Sequence, residues 1–476
     1  MSSTATKSLK EVLLNLLKND IDSDGVNYYV GLGRADVLTE PEDISSVSFQ
    51  RKVRSQLMSV KTLASASFVA PYGVDPSSGR KYYLNRVWDS YDDDNSNEFY
   101  VVNDDNEVFI CMQTGREADG STKPSTVQPT SALASSSAKS FKTADAVTGV
   151  EDGYVWRFLY PISNLDLDTY QTNSWIPVKT VDATSNRQIL ATVRHLDLQD
   201  SAVHGEIIGV AIDSAGATGE YETAPSITIV GNGTGASFNC DVFGGKITRV
   251  RVDSDGAGIF RHGNGYDYAN AVLSEGTAKL RPIIAPEGGI TKNAIKTLKA
   301  SDLMLQVDFA GTEFDTILAE NDFNQISILR DIKNYVRLAD SDFTGNTGLG
   351  VKQLTGVTVT TGTKFDDNTD EIFQQAGGGI APKGKTVFHD DVAGIIYYYQ
   401  DEDTGFQEFS STGSLTNLAE TKGADFTGKA NPDFDAFTGD LLYINNVSAD
   451  GAGAVTIGIT REDTQTEDIR IVLQLG

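Results

Sequence analysis

The chain has 476 residues, 39% hydrophobic and 9% aromatic, with a formal charge of −27 from 66 acidic and 39 basic side chains. That length and apolar content suffice for two to four domains with real cores and exclude a chain disordered throughout. The acidic excess repels phosphate backbones and argues against a nucleic-acid partner, while 45 Gly beside only 12 Pro, with many Thr, Val and Tyr, favours β-structure with many turns.

The first residues, MSSTATKSLKEVLLNLLKND, lack the long apolar core and small-residue cleavage site of a signal peptide. No stretch approaches ~18 apolar residues, so no membrane span is expected, and the chain should stay in the cytoplasm until it assembles. An amphipathic helix is expected over 8–20, with Leu13, Leu14, Leu16 and Leu17 as its apolar stripe and Ser8 with Glu11 as a capping box. A turn, IDSDGVN, leads to a strand, YYVGLG, and a second helix is expected over 48–61. Strands follow near 67–70, 82–87, 98–102 and 108–112, the last two bounded by acidic turns.

Residues 114–150, including STKPSTVQPTSALASSSAKS, hold few core-forming side chains and predict a long surface loop or an arm laid along a partner. A dense aromatic strand comes next, EDGYVWRFLYPI. At period two, Tyr154, Trp156, Phe158 and Tyr160 share one face, which marks a packed core or a subunit interface rather than a sugar platform.

From 205 to 285 the strands alternate apolar and polar residues between Gly-rich turns, and GNGYDYANAVL echoes GEYETAPSITIV, with Tyr221 and Tyr266 in corresponding places. This partial repeat predicts a small inserted β-domain. A helical patch is expected over 291–299, a second inserted β-region over 346–438, and two strands joined by VSADGAGAVT from Gly439 to the end.

Motifs that suggest chemistry fail on context. GIAPKGKT (379–386) fits the P-loop spacing, but its lead-in is short and polar and VFHDDVAGIIYYYQ reads as strand, turn, strand, so no helix N-terminus faces a phosphate. Asp20, Asp22, Asp24 and Gly25 match half of an EF-hand loop, but its twelfth position is Gly31 instead of a bidentate Glu. Gly231, Gly233 and Gly235 lie between two strands and open no helix. The four histidines, His195, His204, His262 and His389, are scattered, no C-x-x-C occurs, and Cys111 and Cys240 are expected as buried free thiols. No catalytic, cofactor-binding or metal-binding residue is nominated, and neither a cofactor nor a small-molecule substrate is expected.

Six short motifs run in order along the chain: YYVGLGR (28–34), EVFICM (107–112), EDGYVWRFLYPI (151–162), NDFNQISILRD (321–331), GDLLYINN (439–446) and EDTQTEDIRIVL (462–473). Their order and wording resemble the baseplate wedge subunit of T4-like contractile-tailed bacteriophages, the product of gene eight. Gly33 and Arg34 match that family's opening strand, although its usual Pro-Trp shortly after is replaced by residues 35–38. Asp152, Gly153, Tyr154 and Trp156 give the closest match, with Phe158 and Tyr160 continuing that strand, and EGGITKNAIKTL resembles a Gly-Gly segment before a central strand. Phe323, Gln325, Tyr443 and Gln465 match in place and type.

The resemblance implies a mainly β, multi-domain protein without catalysis, with β-sandwich-like domains, a few short helices and inserted β-domains. It implies a homodimer joined to other baseplate wedge proteins around the tail tube, located in the virion. The expected segments are 1–204 (N-terminal wedge domain with its helix and arm), 205–285 (first insert), 286–345 (return to the main fold), 346–438 (second insert) and 439–476 (closing strands). A tail-associated receptor- or carbohydrate-binding module is the rival expectation.

Overall fold

A computed structural model describes residues 7–23, 27–33, 45–63, 65–92, 98–133, 140–179, 197–255, 258–310, 313, 318, 321–335, 341–368, 370–374, 381–445, 448–449, 454–455, 459–462 and 465–474. The protein is mainly β and multi-domain, with short helices. The chain divides into two compact units, Met1–Leu14 with Ser67–Met304 and Val472–Gly476, and Asn15–Ala66 with Leu305–Ile471. Residues 15–66 of the segment expected at 1–204 therefore fold with the second unit.

In the first unit, a four-stranded antiparallel sheet runs in the order Tyr100–Val102, Glu107–Gln113, Glu151–Pro161, Ser140–Ala144. Its core holds Trp88, Val101, Phe109, Cys111, Phe141, Tyr154, Trp156 and Phe158. The expected strand over 82–87 is not formed: this stretch makes only isolated bridges, Lys81 to Val102 and Arg86 to Ser125. Residues 114–150 are also not simply an arm. Ser140–Ala144 is the sheet's edge strand, and Ser125 and Thr143 are fully buried.

Residues 207–284 form concentric antiparallel pairs. Ile207–Ser214 pairs with Lys279–Ile284, Ile227–Gly231 with Ala269–Leu273, Thr234–Ala236 with His262–Asn264, and Phe238–Phe243 with Lys246–Val252. The segment thus leaves and rejoins the body of the unit through adjacent strands. Tyr221 and Tyr266 centre two separate small cores. A methyl group on Gly276 would strike the Tyr221 ring, and one on Gly233 the Tyr266 ring, so each tyrosine leans on a glycine.

In the second unit, five antiparallel strands lie in the order Thr347–Leu349, Leu57–Thr62, Tyr28–Gly33, Gln325–Arg330, Asp440–Ile444. The expected 48–61 helix stops early, at Val47–Ser55, where Ser46 caps it by accepting from the Phe49 N–H. The residues beyond it, LMSVKT, are claimed by pairing with the Tyr28 strand. Tertiary pairing overrides helical periodicity here.

Within 352–430 the eight-stranded sheet closes on itself. Lys352–Thr355 pairs with both Ile395–Tyr399 and Gly428–Ala430, and its continuation Thr358–Thr361 pairs with Gly423–Phe426. Closure removes exposed sheet edges and surrounds a core of Leu354, Phe365, Ile372, Ile396, Tyr398, Phe409 and Phe426.

The N-terminal helix spans Lys7–Ile21, so Ser8 lies inside it and is not its N-cap. Leu14 and Ile21 are buried, whereas Leu13 and Leu16 are exposed and do not belong to a buried stripe. The helical patch near 291–299 is the single turn Ala294–Thr297. The closing region holds more than two strands, with Ile459–Arg461 and Glu467–Gln474 following Asp440–Ile444 and a short pairing of Ser448–Ala449 with Ala454–Val455.

Candidate functional site

The family-like residues do not converge on one place. Asp152, Gly153, Tyr154, Trp156, Phe158 and Tyr160 lie in the first unit, and Gly33, Phe323, Gln325, Tyr443 and Gln465 in the second. Arg34 is outside the described residues.

Asp152 is a buried carboxylate that gathers donors from three segments. Its Oδ2 accepts from Ser125 Oγ (3.0 Å), Thr126 N (3.1 Å) and Val127 N (3.3 Å). Its Oδ1 accepts from Thr143 Oγ1 (2.7 Å) and Tyr154 N (3.1 Å). The next residue, Gly153, turns with φ +88°, a region that suits glycine. Tyr154 then donates its hydroxyl to Lys123 O (2.7 Å) and accepts from Trp88 N (3.2 Å).

The four aromatics of this strand are all buried within the chain. They do not share one face. Phe158 pairs with Phe109 but Tyr160 pairs with Val108, so Leu159 is an extra residue, a bulge that turns Tyr160 to the opposite side. There its hydroxyl donates to Pro177 O at 2.8 Å.

In the second unit, Gly33 pairs with Gln325 across the central strands. Gln325 is buried and donates from Nε2 to Asn445 O (3.0 Å) and Asn445 Oδ1 (2.6 Å). Phe323 is fully buried, Tyr443 is 37% exposed on the sheet's outermost strand, and Gln465 lies on an exposed turn.

The chemistry-bearing cluster was not nominated from sequence. Arg157, Glu206, His262 and Ser140 are each at least nine-tenths buried and line a cavity of about 360 Å³. Arg157 Nη1 pairs with Glu206, and its Nε (3.0 Å) and Nη2 (2.8 Å) donate to Ser140 Oγ. His262 Nδ1 lies 2.8 Å from Ile207 O, so it carries the proton and donates. Nε2 is then left as acceptor for the Ser140 hydroxyl at 3.4 Å.

Burial alone would raise the Glu206 carboxyl, but the Arg157 charge, with His262 and the hydrogen bonds, outweighs it and holds that group below its ordinary range. Burial pushes the His262 imidazole down to about 4, with Arg157 acting the same way and Glu206 opposing. A Ser–His contact suggests a nucleophile, yet both lone pairs of Ser140 Oγ are taken by Arg157, leaving none to attack a carbonyl. The cluster is built as a clamp between the sheet and the 207–284 insert. The lone arginine in the apolar run YVWRFLYP was the sequence signal for it.

Lys385 lies in the strand Lys383–Asp390 with its ammonium 2.9 Å from Asp401. Asp22 pairs with Lys18, and Asp20 accepts from Tyr28 Oη at 2.6 Å. Cys111 and Cys240 are free and buried. Among the described residues, no three His, Cys, Asp or Glu side chains gather to hold a metal ion, and no helix is long and apolar enough to cross a membrane. Comparison with known proteins gives no relative: no family model, no curated protein and no solved structure matches this chain.

Proposed function

We propose that this chain is a structural subunit of a phage tail baseplate wedge, acting through protein–protein contacts around the tail tube and needing no cofactor or catalysis. One observation supports this reading above the others. Five of the six family-like motifs, far apart in sequence, pair with one another within their own unit. YYVGLGR, NDFNQISILRD and GDLLYINN supply three consecutive strands of one sheet, and EVFICM and EDGYVWRFLYPI supply two adjacent strands of another. This side-by-side placement in the sheets of each unit is what supports the reading.

On this reading the motif strands form the frame, while the inserts at 207–284 and 352–430 meet neighbours particular to this phage. The acidic surface keeps the subunit soluble before assembly, and assembly buries large surfaces. Part of its task is to follow the baseplate's rearrangement on host attachment, which requires interfaces with two stable arrangements.

The test is the mass of the purified chain by light scattering, alone and mixed with the other wedge proteins of its phage. A dimer that moves into a larger complex is expected. A trimer indifferent to those proteins would reject the wedge assignment in favour of a receptor-binding module.

A further inference from the structure

Beyond its role as an assembly piece, we infer that the second unit carries a saccharide-binding cleft between the closed barrel and the 432–437 segment. The cleft has a volume of about 200 Å³. Phe406 and Phe437 form its aromatic part. Their rings stand nearly perpendicular, 85° apart with centroids at 6.5 Å, and they remain 55% and 52% exposed. Two exposed phenylalanines brought together from separate loops form a contact surface that the fold does not use internally.

The rest of the lining mixes apolar groups, Tyr398, Pro432, Phe434 and Ala436 among them, with polar side chains that have partners of their own. Lys352 Nζ donates to Gln400 Oε1 at 2.8 Å, and Gln400 Nε2 is held by Lys383 O and Gln407 O, both at 2.7 Å. Glu408 is tied to Lys429 at 3.0 Å, and Tyr335 adds a further ring. These partners hold the polar groups in place around the rings.

That combination selects the occupant. An aliphatic side chain from a partner protein would strip water from Lys352 and Glu408 and return no hydrogen bond, which is unfavourable for both groups. A pyranose matches both parts. Its C–H face lies against an aromatic ring, and its equatorial hydroxyls can donate to a carboxylate and accept from an ammonium. The narrow volume, below the roughly 300 Å³ of drug-sized pockets, suits one sugar ring rather than a long oligomer buried end to end.

The experiment is saturation-transfer NMR and calorimetry on the full chain with methyl glycosides of glucose, galactose, mannose and N-acetylglucosamine. At least one glycoside is expected to bind, with Phe406→Ala and Phe437→Ala each weakening it about fivefold to tenfold. Both side chains are more than half exposed, so these variants keep the fold, which an unchanged melting curve checks. Val392→Ala, at an almost fully exposed position outside the cleft, should bind as the parent does. Failure of the parent to bind any of the four glycosides overturns the inference. So does binding that both phenylalanine variants leave unchanged. Neither outcome bears on whether the chain joins wedge proteins, which light scattering reads separately.

Discussion

Arg157 and Glu206 close an ion pair in which each side chain keeps only 3% of its surface in water, and the pair joins the strand Glu151–Pro161 to the root of the 207–284 insert. Two charges this deep are tolerated because each neutralises the other and Ser140 takes the remaining guanidinium contacts. Removing one partner strands the other. Glu206→Gln keeps the shape and deletes the charge, and should lower the stability of the first unit by about 3–5 kcal/mol. Urea unfolding followed by tryptophan fluorescence reads it, since Trp88 and Trp156 lie in that unit's core. A loss under about 1 kcal/mol would mean that the pair is incidental.

The same clamp makes the first unit sensitive to acid. His262 has an ordinary value of 6.5 and sits at about 4 when folded, so the unfolded chain binds its proton first. Stability from this group is complete above 6.5 and is lost as pH falls from there towards 4, by roughly 3 kcal/mol. Arg157 and Glu206 are the charged groups that act on it, beside the Ser140 hydroxyl and the Phe260 ring. Glu206, held below its ordinary 4.5, begins to lose its own contribution only below that value, where the His262 window is ending. His389 is also lowered by burial and slopes in the same direction, in the second unit. Melting curves at half-unit steps from pH 7 to 4 should flatten for the first unit in His262→Gln and keep their slope for the second.

The short-range part of this fold is legible in the sequence and the long-range part is not. The aromatic alternation announces the Glu151 strand, and the Gly-rich turns announce the 205–285 insert, because both signals lie within a dozen residues. The pairing of Tyr28 with Arg330 spans three hundred residues and leaves no local trace. The bulge at Leu159 is equally silent, so period two alone puts Tyr160 on the wrong face. The clamp was missed for a related reason. Its four residues come from four separate segments, and His262 looks isolated until its strand pairs with Thr234–Ala236.

Asp152 explains how a Ser/Thr-rich segment gains structure with few apolar side chains. One carboxylate anchors Ser125, Thr126, Val127 and Thr143. Asp152→Asn turns an amide N–H towards groups that are themselves donors, at a cost of about 1–3 kcal/mol. The expected result is selective trypsin cleavage after Arg116 and Lys123 in the variant, read by mass spectrometry. A variant as resistant there as the parent would show that this segment is held by other contacts.

The two glycines of YYVGLG face different obstacles. A methyl group on Gly31 would lie 2.6 Å from Leu57 Cδ1, 2.7 Å from Ser327 Oγ and 2.8 Å from Leu329 Cδ1, all side-chain atoms that can shift. On Gly33 it would lie 2.5 Å from the backbone oxygen of Gln56 and 3.1 Å from Leu57 Cα, which move only with the chain. Overpacking a close-packed sheet costs about 1–3 kcal/mol, more where backbone must yield. Gly33→Ala should therefore be the more damaging, by about 1 kcal/mol or more, when the two variants' urea midpoints are compared. The reverse order would mean that the helix end at Gln56 gives way more easily than the leucine packing over Gly31. The opening strand would then be fixed by its side chains and not by the close backbone crossing.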